Sequence, residues 1–204
     1  PIVHMKNFLP AQTEYGVQGN RGDYVLYYGR LSREKGILTL VRAMEKVGNV
    51  PLIIVGTGPE EEAIRSEVNR LKLEDRVLLV GFKSGEELWR YVRESACVVV
   101  PSEWYEASGY TACEAQAMGK PVIATDAGGL PENIVDRETG FVCPMKNEAE
   151  LAEAIMKIVN MDNLSYEKMA KAASINAERL FSAADYVERL TSIYRTLCRN
   201  EEQA

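Results

Sequence analysis

Two glycine-bounded segments carry most of the side chains that could bind an anionic substrate. Residues 29–36 read Gly-Arg-Leu-Ser-Arg-Glu-Lys-Gly and place Arg30, Arg33 and Lys35 just before a predicted helix. Unpaired backbone amides and the helix dipole favour an anion at a helix start, and arginine and lysine can neutralise a phosphate leaving group without a metal. The segment therefore suits a diphosphate, and an ordinary solvated loop is the alternative interpretation.

The second segment, residues 101–109, leads into another predicted helix and contributes carboxylates. Glu106 and Glu114 stand eight positions apart, with Gly109 between them. Glu114 falls among small and apolar residues, where an unpaired charge is costly. The two hydroxyls of a sugar or ribose would satisfy it, and an internal arginine or lysine is the alternative. Gly109 would let a ligand approach the backbone amides of the helix start.

Two shorter glycine turns are candidate contacts for phosphate, sugar or base. Gly58 belongs to the turn Gly-Thr-Gly-Pro, which falls short of the GxGxxG dinucleotide fingerprint. A plain turn between strand and helix explains it nearly as well. Phe82 and Lys83 follow the next predicted strand and could lie beside a nucleobase, or Phe82 could belong to ordinary packing.

These segments need a scaffold, and the alternation of short apolar runs with helical periodicity predicts an α/β fold with a parallel sheet. Continuous apolar runs are typical of strands covered by helices on both faces, as in a Rossmann-like doubly wound sheet. We predict six strands at 24–28, 52–55, 76–80, 97–100, 122–125 and 140–142.

The predicted helices alternate with these strands, and the common strand order 3-2-1-4-5-6 places the ligand crevice between strands 1 and 4. Residues 29–36 follow strand 1 and residues 101–109 follow strand 4, so we expect the two segments to face each other. The predicted helices span 37–47, 59–71, 85–94, 110–118, 148–159, 165–177 and 183–198.

In this order and spacing, the glycine turns, the basic segment and the paired glutamates resemble the nucleotide-sugar domain of retaining GT-B glycosyltransferases of family 4. The resemblance covers about residues 24–159 and the closing helix 181–197. The motifs that carry it are 29–36, 55–60, 80–82, 101–103, 106–115, 119–124 and 128–132.

This resemblance implies roles for individual residues. It assigns Arg30 and Lys35 to the diphosphate and Glu106 to the transferred sugar, and these three are the catalytic candidates. It implies no metal site and no cofactor, the substrate being a nucleotide-diphosphate sugar such as a UDP- or GDP-sugar. The nucleotide-sugar-binding candidates are Gly29, Gly58, Phe82, Lys83, Gly109, Tyr110, Thr111 and Glu114.

The resemblance also implies a domain arrangement. Members of the family have two Rossmann-like halves, and this chain matches the second, so we expect a fragment or isolated domain. Residues 1–22 would be the interdomain linker, 23–180 the donor-binding domain, and 181–204 the closing helix that packs on the N-terminal half. That half would hold the acceptor, a glycan or a lipid-linked molecule, commonly in cell-envelope polysaccharide synthesis. The fragment alone would bind nucleotide without transferring sugar.

Composition excludes several other classes of protein. The 204 residues include 24 basic and 30 acidic side chains, a net charge of −6 that argues against a nucleic-acid partner. The chain has no apolar run long enough for a membrane span and no CxxC pair among its four cysteines. We therefore expect a cytoplasmic protein, placed at the inner membrane face at most. A nucleotide-binding module without transferase activity stays open, and a Rossmann oxidoreductase is disfavoured by the missing fingerprint.

Overall fold

Short runs of β-branched and other apolar residues form six parallel strands in this computed structural model, which describes residues 21–180 and 183–201. The strands lie in the order β3-β2-β1-β4-β5-β6, so the chain reverses direction across the sheet between β1 and β4. The strands are β1 (Tyr24–Tyr28), β2 (Leu52–Val55), β3 (Val77–Gly81), β4 (Ser95–Val100), β5 (Val122–Thr125) and β6 (Gly140–Cys143).

Seven helices are described: four connect consecutive strands and three follow the last strand. A short 3₁₀ turn at Arg33–Lys35 precedes the first helix. A second 3₁₀ turn, at Leu130–Asn133, takes the place of a helix between β5 and β6. The helices are α1 (Ile37–Met44), α2 (Glu61–Arg70), α3 (Gly85–Glu94), α4 (Tyr110–Ala117), α5 (Glu148–Val159), α6 (Asn163–Leu180) and α7 (Ala183–Glu201).

The sheet divides the core into two layers because successive side chains of a strand point to opposite faces. Val25 and Tyr27 of β1 pack in the layer that contains the buried faces of α1, α2 and α5. Leu26 and Tyr28 pack in the other layer, with side chains from α3 and α4. The continuous apolar strands are therefore buried on both sides, as predicted for a doubly wound sheet.

The predicted fold class and strand order are confirmed, with small differences in element bounds. Strand β4 begins at Ser95, two residues before its predicted start, because a register shift opposite Tyr24 lets the chain pair earlier. The Ser95 carbonyl accepts hydrogen bonds from the Gly22 amide and from the Lys120 ammonium. Lys120 is 1% exposed, and this burial lowers its pKa to about 8.

The structure describes only part of the predicted linker, residues 1–22, and of the predicted closing segment, residues 181–204. Residues 1–20 of the predicted linker lie outside the described residues, whereas Arg21 donates to the Met161 carbonyl and stacks 6.0 Å from the ring centre of Tyr166. The closing helix forms as α7, and its packing on another domain stays a prediction. Within the described residues, no helix is long and apolar enough to cross a membrane.

Gly36 brings the segments that follow β1 and β4 into contact. Its φ is 66°, which favours glycine, and a Cβ atom added to it would overlap the Pro101 carbonyl oxygen. The neighbouring Glu103 amide donates to the Glu34 carbonyl at 2.8 Å. The close backbone approach explains why a glycine is needed just before α1.

We expect Gly36→Ala to lower the free energy of unfolding by about 3 kcal/mol or more, because it combines backbone strain with a steric clash. Urea unfolding measures this. Gly48→Ala is the matched control, since Gly48 has a φ of 70° but open space around its Cβ position. Its cost should be about 1 kcal/mol, from the strain alone. Equal losses in the two variants would contradict the close contact.

Candidate functional site

A cleft of about 360 Å³ opens where the carboxyl ends of β1 and β4 separate. Its position is the one that the strand order predicts for a ligand. The cleft is lined by Tyr27, Tyr28, Gly29, Arg30, Lys35, Val99, Val100, Pro101, Ser102, Glu106, Ala107, Ser108, Gly109, Tyr110 and Thr111. The structure therefore brings both predicted segments together in one cavity.

Backbone hydrogen bonds to the β2 turn fix the segment after β1. The Gly29 amide donates to the Val55 carbonyl at 3.0 Å, and the Leu31 amide donates to the Thr57 carbonyl at 2.9 Å. The Tyr27 hydroxyl donates to the Arg30 carbonyl at 2.8 Å. The Arg30 main chain is thus anchored, while its side chain is exposed beside the cleft.

Lys35 and Glu106, two of the predicted catalytic residues, form an ion pair across the cleft. Lys35 Nζ lies 2.5 Å from Glu106 Oε1, and the Ser102 hydroxyl donates to the same oxygen at 2.5 Å. Ser102 is itself held by Thr125, at the end of β5, whose hydroxyl donates to its carbonyl at 2.6 Å. Ser102 lies in the motif 101–103 but was not predicted as a site residue, because its contacts with Glu106 and Thr125 cannot be read from the sequence.

The main chain of Glu106 is held by a glycine pair in the turn after β5. The Gly129 amide donates to the Glu106 carbonyl at 2.7 Å, and Gly128 forms an isolated parallel bridge with Glu106. A Cβ atom on Gly128, whose φ is 60°, would lie 2.7 Å from the Glu106 carbonyl oxygen. The two glycines therefore permit the close approach that positions Glu106.

Helix α4 points its amino end at the cleft. Gly109 caps it with a φ of 56°, and a Cβ atom there would overlap the Leu130 side chain. Tyr110 and Thr111 form the first turn, whose amides precede the intrahelical bonding pattern and are available to an anion. All three predicted residues thus line the cleft.

Glu114 lies one turn further along α4, half-buried, and Tyr28 orients it. The Tyr28 hydroxyl lies 3.2 Å from Glu114 Oε2 and 3.1 Å from the Thr111 carbonyl. Burial raises the pKa of the Glu114 carboxyl, and the hydrogen bond from Tyr28 lowers it in part. Among the side chains that the structure describes, no basic one forms an ion pair with Glu114. Tyr28 was missed, since the last residue of an apolar strand reads as core.

Four predicted binding residues do not line the cleft. Glu114 is one of them, although its hydrogen-bond partner Tyr28 does line it. The others are Gly58, Phe82 and Lys83. Gly58 packs on the main chain of Leu31, where a Cβ atom would overlap the Leu31 carbonyl, so close packing already accounts for the glycine. Phe82 is 70% exposed at the carboxyl end of β3, and Lys83 forms an ion pair with Glu87 at 2.7 Å. Strand β2 separates Phe82 and Lys83, which follow β3, from the cleft between β1 and β4.

Comparison with known proteins identifies the family. Residues 16–178 match the family model "Glycosyl transferases group 1". The chain belongs to the glycosyl transferases group 1 family. It is 31% identical over 205 residues to D-inositol 3-phosphate glycosyltransferase of Mycobacteroides abscessus, an alignment that covers 95% of this chain and 45% of the relative. The chain spans about half the length, or less, of the curated relatives that it matches.

Solved structures place the chain in the fold of that family. HepE of Anabaena in complex with UDP is 26% identical with a TM-score of 0.76, covering 91% of this chain and 51% of HepE. The C-terminal domain of a group 1 transferase, LpcC of Francisella tularensis, is 24% identical with a TM-score of 0.71, covering 87% of this chain and 97% of that domain. The architecture is therefore that of the C-terminal half of a GT-B glycosyltransferase.

The described residues of this group 1 domain contain no cluster of three or more histidine, cysteine, aspartate or glutamate side chains that could hold a metal ion. Cys97, Cys113 and Cys143 are separate buried thiols whose pKa values burial raises. Independence from metal stays a prediction.

We expect Glu114→Gln to stabilise the unliganded chain at pH 7. The folded chain holds the Glu114 proton more tightly than the unfolded chain, so this carboxyl lowers the free energy of unfolding as the pH rises above the ordinary glutamate pKa. Urea unfolding at pH 7 and pH 4 measures the effect, which should shrink towards zero at pH 4.

The control for this variant is Glu153→Gln. Its hydrogen bond and ion pair with Lys157, 2.7 Å away, lower the pKa of Glu153, so this substitution should give no gain in stability at pH 7. A gain in Glu114→Gln that is equal at both pH values would show that removal of the buried charge is not its cause.

Proposed function

We propose that this chain is the donor-binding half of a retaining, metal-independent glycosyltransferase that moves a sugar from a nucleotide diphosphate to a hydroxyl acceptor. The observation that carries the proposal is the environment of the Glu114 carboxylate. This half-buried carboxylate lies in the helix that begins at the cleft and has no ion-pair partner among the described side chains. A ribose supplies the two hydroxyl donors that this carboxylate can accept from.

The other groups of the cleft suit the rest of such a donor. The amides of Gly109, Tyr110 and Thr111 would face the diphosphate, together with the permanent charge of Arg30 and the ammonium of Lys35. Glu106 would lie at the transferred sugar. The complex of the relative HepE with UDP supports a uridine nucleotide as the first ligand to test.

The chemistry needs stabilisation of a leaving group. In the proposed step the bond between the sugar C1 and the β-phosphate oxygen breaks, and the acceptor oxygen forms a bond to C1 on the same face. The acceptor proton passes to the departing phosphate oxygen. Arg30 and Lys35 would stabilise the negative charge that develops on this phosphate, an effect that grows towards the transition state.

We expect UDP, added at about 100 times its dissociation constant, to raise the melting temperature by about 5–10 °C, because binding only the folded state adds about 2.7 kcal/mol. Glu114→Ala should abolish the shift. A scan with UDP, GDP, ADP, dTDP and NAD, followed by fluorimetry, measures it. Glu153→Ala, which removes an exposed glutamate of α5, is the control and should keep the full shift.

A larger shift with NAD than with any nucleotide diphosphate would favour an oxidoreductase and contradict the proposal. No shift with any of the five compounds would do so as well. A nucleotide shift that persists in Glu114→Ala would leave a nucleotide site but overturn the ribose role of that carboxylate.

In a full-length protein that contains this domain, we expect Lys35→Ala to lower kcat by about 10²–10³, the usual cost of removing one group that stabilises transition-state charge. Initial rates of sugar transfer measure it. Lys46→Ala removes an exposed lysine after α1 and should leave kcat unchanged. Unchanged kcat in Lys35→Ala would remove Lys35 from the catalytic residues. Transfer by these 204 residues alone would show that the acceptor half is dispensable.

A further inference from the structure

A buried polar network joins the cleft to the end of α6. Gln116 of α4, Asn133 of the turn after β5 and Asn176 of α6 are all buried. Buried amides must be hydrogen-bonded to be tolerated, and here each one bonds the next. None of these side chains was singled out by the sequence, and none lines the cleft.

The orientation of every amide in this network is determined by its partners. Arg179 can only donate, and its Nη2 lies 3.1 Å from Asn176 Oδ1, so Asn176 Nδ2 must face the other way. There it donates to Gln116 Oε1 and to the Asn133 carbonyl, both at 2.9 Å. Gln116 Nε2 then donates to the same Asn133 carbonyl at 2.8 Å.

The Asn133 side chain points from this network towards the cleft. Its Nδ2 donates to the Ser108 carbonyl at 2.7 Å and to the Gly129 carbonyl at 3.4 Å. The Gly129 amide in turn holds the Glu106 carbonyl. The Asn133 side-chain amide therefore holds residues 106–109 near both ends: directly at Ser108, and through Gly129 at Glu106.

The contact with Ser108 fixes the direction of the next amide. In a planar trans peptide the C=O and N–H groups point in opposite directions, so holding the Ser108 carbonyl at Asn133 directs the Gly109 N–H away from Asn133. Gly109 lines the cleft, and its N–H has no protein acceptor within the described part of the chain.

We infer that Asn133 is a positioning residue that holds the Ser108–Gly109 peptide with its N–H aimed at the diphosphate of the donor. This inference rests on the proposed function, because it needs an anion in the cleft. Asn133 would act only through this peptide and the turn at Gly129, without touching the ligand. Preorganised backbone donors bind an anion without the cost of reorienting them.

Two substitutions test the side-chain donor in the 204-residue chain. Asn133→Leu keeps the approximate size but removes the donor, and Asn133→Asp keeps the shape but places acceptor oxygens against two carbonyls. We expect at least a tenfold rise in the Kd of UDP, measured by calorimetry, for Asn133→Leu and a rise at least as large for Asn133→Asp. Asn147→Asp, at the start of α5, is the matched control and should bind UDP as the native chain does, since aspartate also caps a helix.

A packing role for Asn133 predicts the reverse order, with the isosteric Asn133→Asp binding UDP better than Asn133→Leu. Either that order or a Kd within twofold of the native value in Asn133→Leu would overturn the inference. If the native chain binds neither UDP nor GDP nor ADP, the proposed function fails and the inference fails with it.

A second measurement needs no variant and so decides the matter if both substitutions prevent folding. In NMR titrations of the native chain with UDP, the Gly109 amide proton should shift downfield as it bonds to phosphate. The side-chain amide of Asn133 should shift with the same midpoint. UDP binding that leaves the Gly109 resonance in place, or that moves it without moving Asn133, would contradict the positioning role.

Discussion

The reversal of strand order between β1 and β4 is the constraint on which the rest of the structure depends. Helices that follow β1 and β4 cover opposite faces of the sheet, so neither covers the carboxyl ends of both strands. The backbone polar groups there need partners of another kind. They find them in the turns after β2 and β5, and those contacts define the walls of the cleft.

The glycines at these contacts are required for backbone packing, whether or not a ligand binds. Gly36 and Gly128 let one backbone segment touch the next, at Pro101 and at Glu106 respectively. Closely packed backbone segments thus form the walls of the cleft, and the side chains project from these segments. An arrangement of this kind keeps the amides that line the cleft fixed, independently of the exposed side chains at its rim.

The sequence predicted the fold well because the fold depends on local patterns that are readable one element at a time. Strands β1, β2 and β5 have their predicted bounds, and the two segments with basic and acidic residues meet as expected. The ligand role of Gly58 stays a prediction, because in a sequence a glycine needed for close packing looks the same as one needed for a ligand. Ser102 and Asn133 act through contacts across strands, and no spacing along the chain reveals such contacts.

The ion pair between Lys35 and Glu106 means that the protein itself supplies a counter-ion for Lys35 at the cleft. Any anion that binds Lys35 must compete with this carboxylate. The net binding free energy is therefore the attraction between Lys35 and the anion minus the attraction between Lys35 and Glu106. A small monovalent anion exchanges one charge for an equal one and gains little. The diphosphate of the proposed donor carries more charge and would also meet the helix amides, so it would displace Glu106 from Lys35. In the proposed function, the internal carboxylate would therefore favour a diphosphate over small monovalent anions at Lys35.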